Sequence, residues 1–195
     1  MHAIICGVTE SGKTTLARAL SRRMCAEKQN VIVYDPVGTA TYGGEWGKSA
    51  VVFNDPQKFW GYISRDDVHH AHVFIDEAGD IFHLGARENF WLLTRGRHFG
   101  FQVYLISQRP KMIAPSARAQ CGVAYMFRLA KDDAKEICAD FGHDWPFRDA
   151  ESKQKITVKE LDKGDFYTLY SGAIGKNRSN IFQILKPTSR KEKKP

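Results

Sequence analysis

Residues Gly7-Val8-Thr9-Glu10-Ser11-Gly12-Lys13-Thr14 satisfy the spacing G-x-x-x-x-G-K-[ST]. That pattern can hold a phosphate chain. Successive backbone N–H groups, backed by the N-terminus of a helix, make a pocket for anionic oxygens. The Lys13 ammonium can reach the β- and γ-phosphates, and the Thr14 hydroxyl can take a place around Mg²⁺. The motif carries meaning only between a strand and a helix. Here residues 3–6, Ala-Ile-Ile-Cys, read as a short buried strand, and residues 15–20 read as the first turns of a helix. The expected nucleotide-binding set is therefore Gly7, Thr9, Ser11, Gly12, Lys13, Thr14 and Thr15. The bland alternative is a glycine-rich turn leading into an ordinary helix.

A second set of reactive residues follows downstream. The apolar stretch 73–75 ends in Asp76-Glu77. An aspartate there can hold Mg²⁺, through water, and the adjacent glutamate can act as general base on an attacking water. An acidic pair after a strand is common; after a phosphate loop it gains force. Gln108 closes another apolar stretch, 101–107. It can hydrogen-bond a γ-phosphate or the attacking water, or simply cap its strand.

These residues need a frame. Apolar strands are expected at 31–34, 51–53, 73–75, 101–107 and 122–127. Helices are expected behind Asp55-Pro56, an N-cap with proline at the first helical position, at 88–94, and at 131–141 with Gly142 as its stop. Phe59, Trp60 and Ile63 recur at helical spacing and read as core. Residues 39–48 are glycine-rich and read as a loop. Strands alternating with helices imply an α/β domain on a mostly parallel sheet. Ligands in such sheets sit beyond the carboxyl ends of the strands, where Gly7, Asp76 and Gln108 all fall. Residues 166–170 and 181–185 read as a C-terminal β-hairpin. A single motor domain over 1–185 and a basic, disordered tail over 186–195 are the expected organisation.

Composition sets outer limits. The chain has 195 residues, 43% hydrophobic and 26% charged, with a net charge of +7. That size suits one domain with a sizeable core, and the charge favours a polyanionic partner. No apolar run approaches the ~20 residues of a membrane helix. Met1-His2 leads straight into the first strand without a signal-peptide pattern, so a cytoplasmic location with no preceding domain is expected. The four cysteines, Cys6, Cys25, Cys121 and Cys138, lack C-x-x-C spacing and read as free thiols, Cys6 and Cys121 buried. His69, His70 and His72 lack a partner cluster for zinc and read as packed or solvated.

The stretch Gly100-Phe101-Gln102-Val103-Tyr104-Leu105-Ile106-Ser107-Gln108-Arg109-Pro110, preceded by Arg95-Gly96-Arg97-His98 and followed by Ala114-Pro115-Ser116-Ala117-Arg118, resembles the sensor strand of the FtsK/HerA superfamily of DNA-pumping ATPases. With the phosphate loop and Asp76-Glu77 the resemblance spans residues 3–128. It is specific as a set, although no single motif is. The chain is most similar to the genome-packaging ATPases of tectivirus-like, membrane-containing phages. The resemblance implies a P-loop NTPase of the RecA-like (ASCE) type that uses ATP and Mg²⁺. Lys13 and Thr14 match the phosphate and metal residues, Asp76 and Glu77 the metal-holding and water-activating acids, and Gln108 the sensor. Arg97 matches the arginine finger, acting on a neighbouring subunit's nucleotide, with Arg95 and Arg118 as competitors.

The implied assembly is a ring, expected to be a hexamer, around double-stranded DNA held through its backbone. Packaging proteins at a capsid vertex or membrane would be further partners, and the location would be host cytoplasm or virion vertex. Arg87, Lys111 and the loop 43–48 are candidate channel residues, against the plainer reading of solvated surface charge. Glu10 departs from the glycine many family loops carry. A carboxylate near triphosphate is unfavourable unless it points outward or pairs with a basic group on a neighbour. Residues beyond about 130 match no motif. Other readings are a cellular or conjugative translocase or helicase, a filamentous-phage assembly ATPase (which would usually need a membrane helix), a small-molecule kinase, and a DNA-binding scaffold that seldom hydrolyses ATP.

Overall fold

The computed structural model describes residues 1–38, 44–146, 161–170, 173–174 and 179–180. The expected strand 181–185, the tail 186–195 and part of the glycine-rich loop lie outside them. Five strands, β1 (His2–Cys6), β2 (Asn30–Tyr34), β3 (Val51–Phe53), β4 (Ala71–Ile75) and β5 (Gln102–Ser107), run parallel with β6 (Cys121–Met126). β7 (Asp165–Tyr170) adds antiparallel to β6 and also pairs antiparallel with β8 (Ala173–Ile174), so the expected strand 166–170 is present while its expected partner 181–185 lies outside the described residues. β9 (Ser179–Asn180) also pairs with β7. The order is β3-β2-β4-β5-β1-β6-β7-β8. Thus β5 lies between the strand that feeds the phosphate loop and the strand that ends at Asp76.

Burial explains the runs. Every residue of β1 is buried, as expected of a parallel strand covered on both faces. One cluster, including Ile4, Val73, Leu105 and Ile137, fills one face of the sheet, and a second, including Ile5, Leu16, Val33 and Ile106, fills the other. Phe74 and Tyr104 stack across neighbouring strands at 4.4 Å in the second cluster. Six of the helical stretches flank the sheet: α1 (Lys13–Ala26), α2 (Pro56–Ile63), α3 (Ala78–Ile81), α4 (Trp91–Thr94), α5 (Pro115–Arg118) and α6 (Lys131–Asp140). Asp55 caps α2 by accepting the Lys58 N–H at 2.8 Å, and Phe59 packs against Tyr34 and Trp60 in the core. Gly142, left-handed at φ 74°, ends α6.

One expected helix differs. The stretch 88–94 forms a 3-10 turn, Arg87–Phe90, followed by the single turn α4, and another 3-10 turn spans Gly96–Phe99. The run Phe90-Trp91-Leu92-Leu93 has no polar face at helical spacing. It bends so that Leu92 and Leu93 are fully buried while Phe90 and Trp91 are half-buried. His2 ties this region to the sheet. Its Nε2 donates to the Leu93 carbonyl at 2.9 Å and its Nδ1 accepts the Val103 N–H at 3.0 Å. Burial holds its pKa below the ordinary value, and the two bonds fix one neutral tautomer.

All four cysteines are free thiols; Cys6, Cys121 and Cys138 are buried and Cys25 is half-buried. Among the described residues no helix is long and apolar enough to cross a membrane.

Candidate nucleotide site

The loop between β1 and α1 is shaped by close backbone approach. A Cβ on Gly7 would lie 2.6 Å from Phe127 Cβ and 2.8 Å from Ser11 Oγ, so glycine alone fits there. Gly12 takes φ 113° to start α1, and Glu10 takes φ 61°. Neighbouring strands brace the loop. The Gly7 N–H donates to the Ser107 carbonyl at 3.3 Å, and the Val8 N–H to Arg128 at 2.8 Å. The Ser11 carbonyl accepts the Gly164 N–H at 2.9 Å. That last bond brings the segment before β7, unreadable as functional in the sequence, onto the loop. Ser11 Oγ is buried without a partner among the described residues.

Lys13 is buried at the centre, its Nζ donating to the Val8 carbonyl at 3.0 Å. Burial lowers its pKa, while Asp76 and Glu77 oppose that change. Facing it, the Asp76 N–H donates to the Tyr34 carbonyl at 2.9 Å, and Asp76 Oδ1 accepts the Glu77 N–H at 3.0 Å. Burial pushes Asp76 up to about 6, helped by the charges of Asp35 and Glu77 and opposed by that N–H and by Lys13. Glu77 itself sits at φ 49°, a left-handed conformation costly for a residue with a Cβ. Such strain beside a phosphate loop marks Glu77 as a functional candidate.

Gln108 joins the two halves. Its Nε2 donates to Glu77 Oε1 at 3.0 Å, and its Oε1 accepts the Thr9 hydroxyl at 3.0 Å. The insertion of β5 between β1 and β4 makes this bridge possible. A cleft of about 280 Å³ lies between them, lined among others by Lys13, Thr14, Asp35, Asp76, Glu77 and Gln108. The residues fit a nucleotide with Mg²⁺: a backbone cradle closed to any side chain at Gly7, a central ammonium, a hydroxyl, and a buried carboxylate. Among the described residues no three His, Cys, Asp or Glu side chains cluster as a metal cage. Magnesium on phosphates takes one or two protein ligands and water instead.

Asp35 was missed by sequence reasoning. It ends β2, is buried, and accepts from Trp46 Nε1 at 2.9 Å and from the Gly38 N–H at 2.8 Å. Arg18, over the Trp46 ring at 5.5 Å, pairs with Asp35 at 3.7 Å and Glu45 at 2.6 Å. The Ser21 hydroxyl donates to the Trp46 carbonyl. The described ends of the loop after β2, at Asp35 and at Glu45-Trp46, are thus pinned to α1 beside the phosphate site. The one visible signal was a tryptophan inside a glycine-rich stretch.

The three arginines separate cleanly. Arg118 is buried, donating to Asp140 and Glu136 at 2.5 Å each and to the carbonyls of Pro110 and Ile113. It ties the segment after β5 to α6 and is unavailable as a finger. Arg97 is exposed on the turn before β5, bonded to the Thr94 carbonyl at 3.0 Å and Gln120 Oε1 at 3.3 Å. The six residues of β5 span ~20 Å, so Arg97 and Gln108 stand at opposite ends of the sheet. Arg97 is out of reach of its own cleft. Arg95 is exposed beside it. Of the channel candidates, Lys111 faces Glu136 at 3.7 Å. Arg87 is exposed without an ion pair among the described residues, next to Leu84, 78% exposed.

The zonular occludens toxin (Zot) family matches residues 5–176. No curated protein matches the chain. Among solved structures, the genome packaging NTPase B204 of Sulfolobus turreted icosahedral virus 2, in complex with AMPPCP, superposes with a TM-score of 0.66 at 20% identity, covering 89% of this chain and 95% of that one. The pCW3 conjugation coupling protein TcpA, with ATPγS, gives 0.63 at 16% identity, covering 89% and 58%. The cytoplasmic domain of the Thermomonospora curvata type VII secretion ATPase EccC gives 0.60 at 12% identity, covering 92% and 23%. These likenesses establish the P-loop α/β fold.

Proposed function

The chain belongs to the zonular occludens toxin (Zot) family, and from that premise and its cleft we propose that it is an ATP-driven motor for double-stranded DNA. The observation that carries the reading is the bridge from Thr9 through Gln108 to Glu77. It joins the phosphate cradle, a sensor amide and a carboxylate on a strained backbone. A cradle that merely holds nucleotide has no use for that carboxylate.

Lys13 and the loop N–H groups hold the β- and γ-phosphates. Thr14 and Asp76 would hold Mg²⁺, which would supply neutralising charge to the phosphates when bound. Glu77 takes the proton of the attacking water, and Gln108 orients that water or the γ-phosphate. Arg97, unable to reach its own cleft, serves the cleft of the next copy in a ring. Asp35 holds the loop after β2 against α1 and so fixes one wall. The net charge of +7 suits a backbone-gripping motor whose contacts ignore sequence. Arg87 and Leu84, exposed just beyond the Glu77 turn, stand where turnover would move them.

The specific task we assign is packaging of a viral genome, by analogy with the packaging NTPase that this chain covers almost end to end. A conjugative role is the second reading, favoured by the fold shared with the coupling protein. The test of the shared site is mixing. Arg97→Ala is expected to bind ATP and hydrolyse poorly. Lys13→Ala is expected to lose nucleotide. An equimolar mixture should regain part of the activity at interfaces that combine an intact cradle with an intact Arg97. A mixture no better than its parts would refute the shared site.

A further inference from the structure

Glu10 sits at the tip of the phosphate loop, where a carboxylate is doubly unfavourable. Its φ of 61° suits glycine rather than a residue with a Cβ. Its charge stands beside a site for polyphosphate, which repels it. The other acids of the cleft and its rim are engaged. Asp35 accepts from Trp46, Asp76 from the Glu77 N–H, Glu77 from Gln108, and Glu45 pairs with Arg18. Glu10 is exposed and has no partner among the described residues.

A matching surplus lies at the other end of the sheet. On the turn before β5, Arg97 is held by Thr94 and Gln120, whereas Arg95 is exposed with no ion pair among the described residues. Phe99, on the same turn, is 51% exposed. The two surfaces therefore carry opposite free charges at opposite ends of one molecule. A contact between them is head-to-tail, the kind that closes rings.

We infer that Glu10 receives Arg95 of the adjacent copy, and that this ion pair seats the neighbouring Arg97 over the γ-phosphate position. The inference rests on the shared site proposed above and adds the residue that aligns it. Thr9, one residue before Glu10, bonds to Gln108, so a partner docked on Glu10 is docked beside the sensor. Glu10 is a positioning residue, acting through the partner copy. It also makes assembly depend on charge, so added salt should weaken it.

The test uses the full chain carrying Glu10→Arg, Arg95→Glu, or both, with Arg97→Ala alongside. Steady-state ATP turnover, affinity for a fluorescent ATP analogue, and sedimentation with nucleotide are measured. Each single charge reversal is expected to lower turnover about tenfold and to weaken assembly; Arg95→Glu, far from its own cleft, is expected to keep ATP affinity, whereas Glu10→Arg, which removes a repulsive charge from the cleft, is expected to tighten it. The double variant, in which the pair is restored in reverse, is expected to recover to within about threefold of the unaltered chain. Glu10→Gly is expected to raise Tm by relieving the backbone and yet to lower turnover, a combination that a merely structural glutamate does not give. Single reversals with unaltered turnover, or a double variant no better than the singles, would overturn the pairing. If Arg97→Ala is unaltered too, the shared site itself falls and the pairing with it.

Discussion

Replacing Asp76 by asparagine should make the chain more stable while removing the carboxylate proposed to hold Mg²⁺. Burial pushes this carboxyl from 3.8 up to about 6. Its ionised form is therefore disfavoured in the folded state. The sign follows from proton binding: between those two values the folded chain holds a proton that the unfolded chain releases. Stability is greatest below the unfolded value and is lost as pH rises through the folded one. At about 1.4 kcal/mol per tenfold change in proton affinity, the cost above pH 7 is about 3 kcal/mol. Asparagine keeps an oxygen to accept the Glu77 N–H and carries no charge to desolvate. Urea unfolding in EDTA, without nucleotide, should show Asp76→Asn more stable by about 3 kcal/mol at pH 7.5, falling to about half that by pH 5. Equal stabilities at pH 7.5, or a difference that ignores pH, would refute the reasoning. The same variant should no longer respond to Mg²⁺ in ATP binding, since the costly charge is the one proposed to serve the metal.

Four further changes probe the frame. Gly7→Ala should destabilise the fold by about 1–3 kcal/mol and abolish ATP binding, because its methyl meets Phe127 and Ser11; thermal melts and nucleotide titration check it. Arg118→Ala should cost about 3 kcal/mol or more, since it strands Asp140, leaves Glu136 only Lys111 and removes the donors to the Pro110 and Ile113 carbonyls, whereas Arg97→Ala should leave stability within ~0.5 kcal/mol. His2, held neutral by burial and two bonds, should make stability fall as pH drops below about 6.5; His2→Asn should flatten that slope in denaturant titrations at pH 7.5 and 5.5.

Much of the site could be read along the chain because its parts are contiguous. The cradle is eight consecutive residues, and Asp76-Glu77 and Gln108 each close a strand that announces itself by apolar run. Their meeting follows from strand order: once β5 lies between β1 and β4, Gln108 must lie between Thr9 and Glu77. What escaped reading depends on distant pairs. Asp35 has no signal of its own beyond following an apolar run, and only the fold brings Trp46 and Arg18 to it. Arg95, Arg97 and Arg118 are equivalent as letters; burial and the acids of α6 remove Arg118. The brace from Gly164 to Ser11 joins segments more than 150 residues apart and has no local signal. The helix expected over 88–94 broke because its four apolar residues face two directions.

The proposed function stands on coupling of ATP hydrolysis to double-stranded DNA. The most direct measurement is steady-state ATP turnover by the full chain without DNA, with linear double-stranded DNA of unrelated sequences, and with single-stranded DNA, using Glu77→Gln as the blank. The account predicts stimulation by every double-stranded DNA regardless of sequence, reduced by added salt as phosphate contacts weaken. Turnover that is the same with and without double-stranded DNA, or raised by single strands alone, would contradict it.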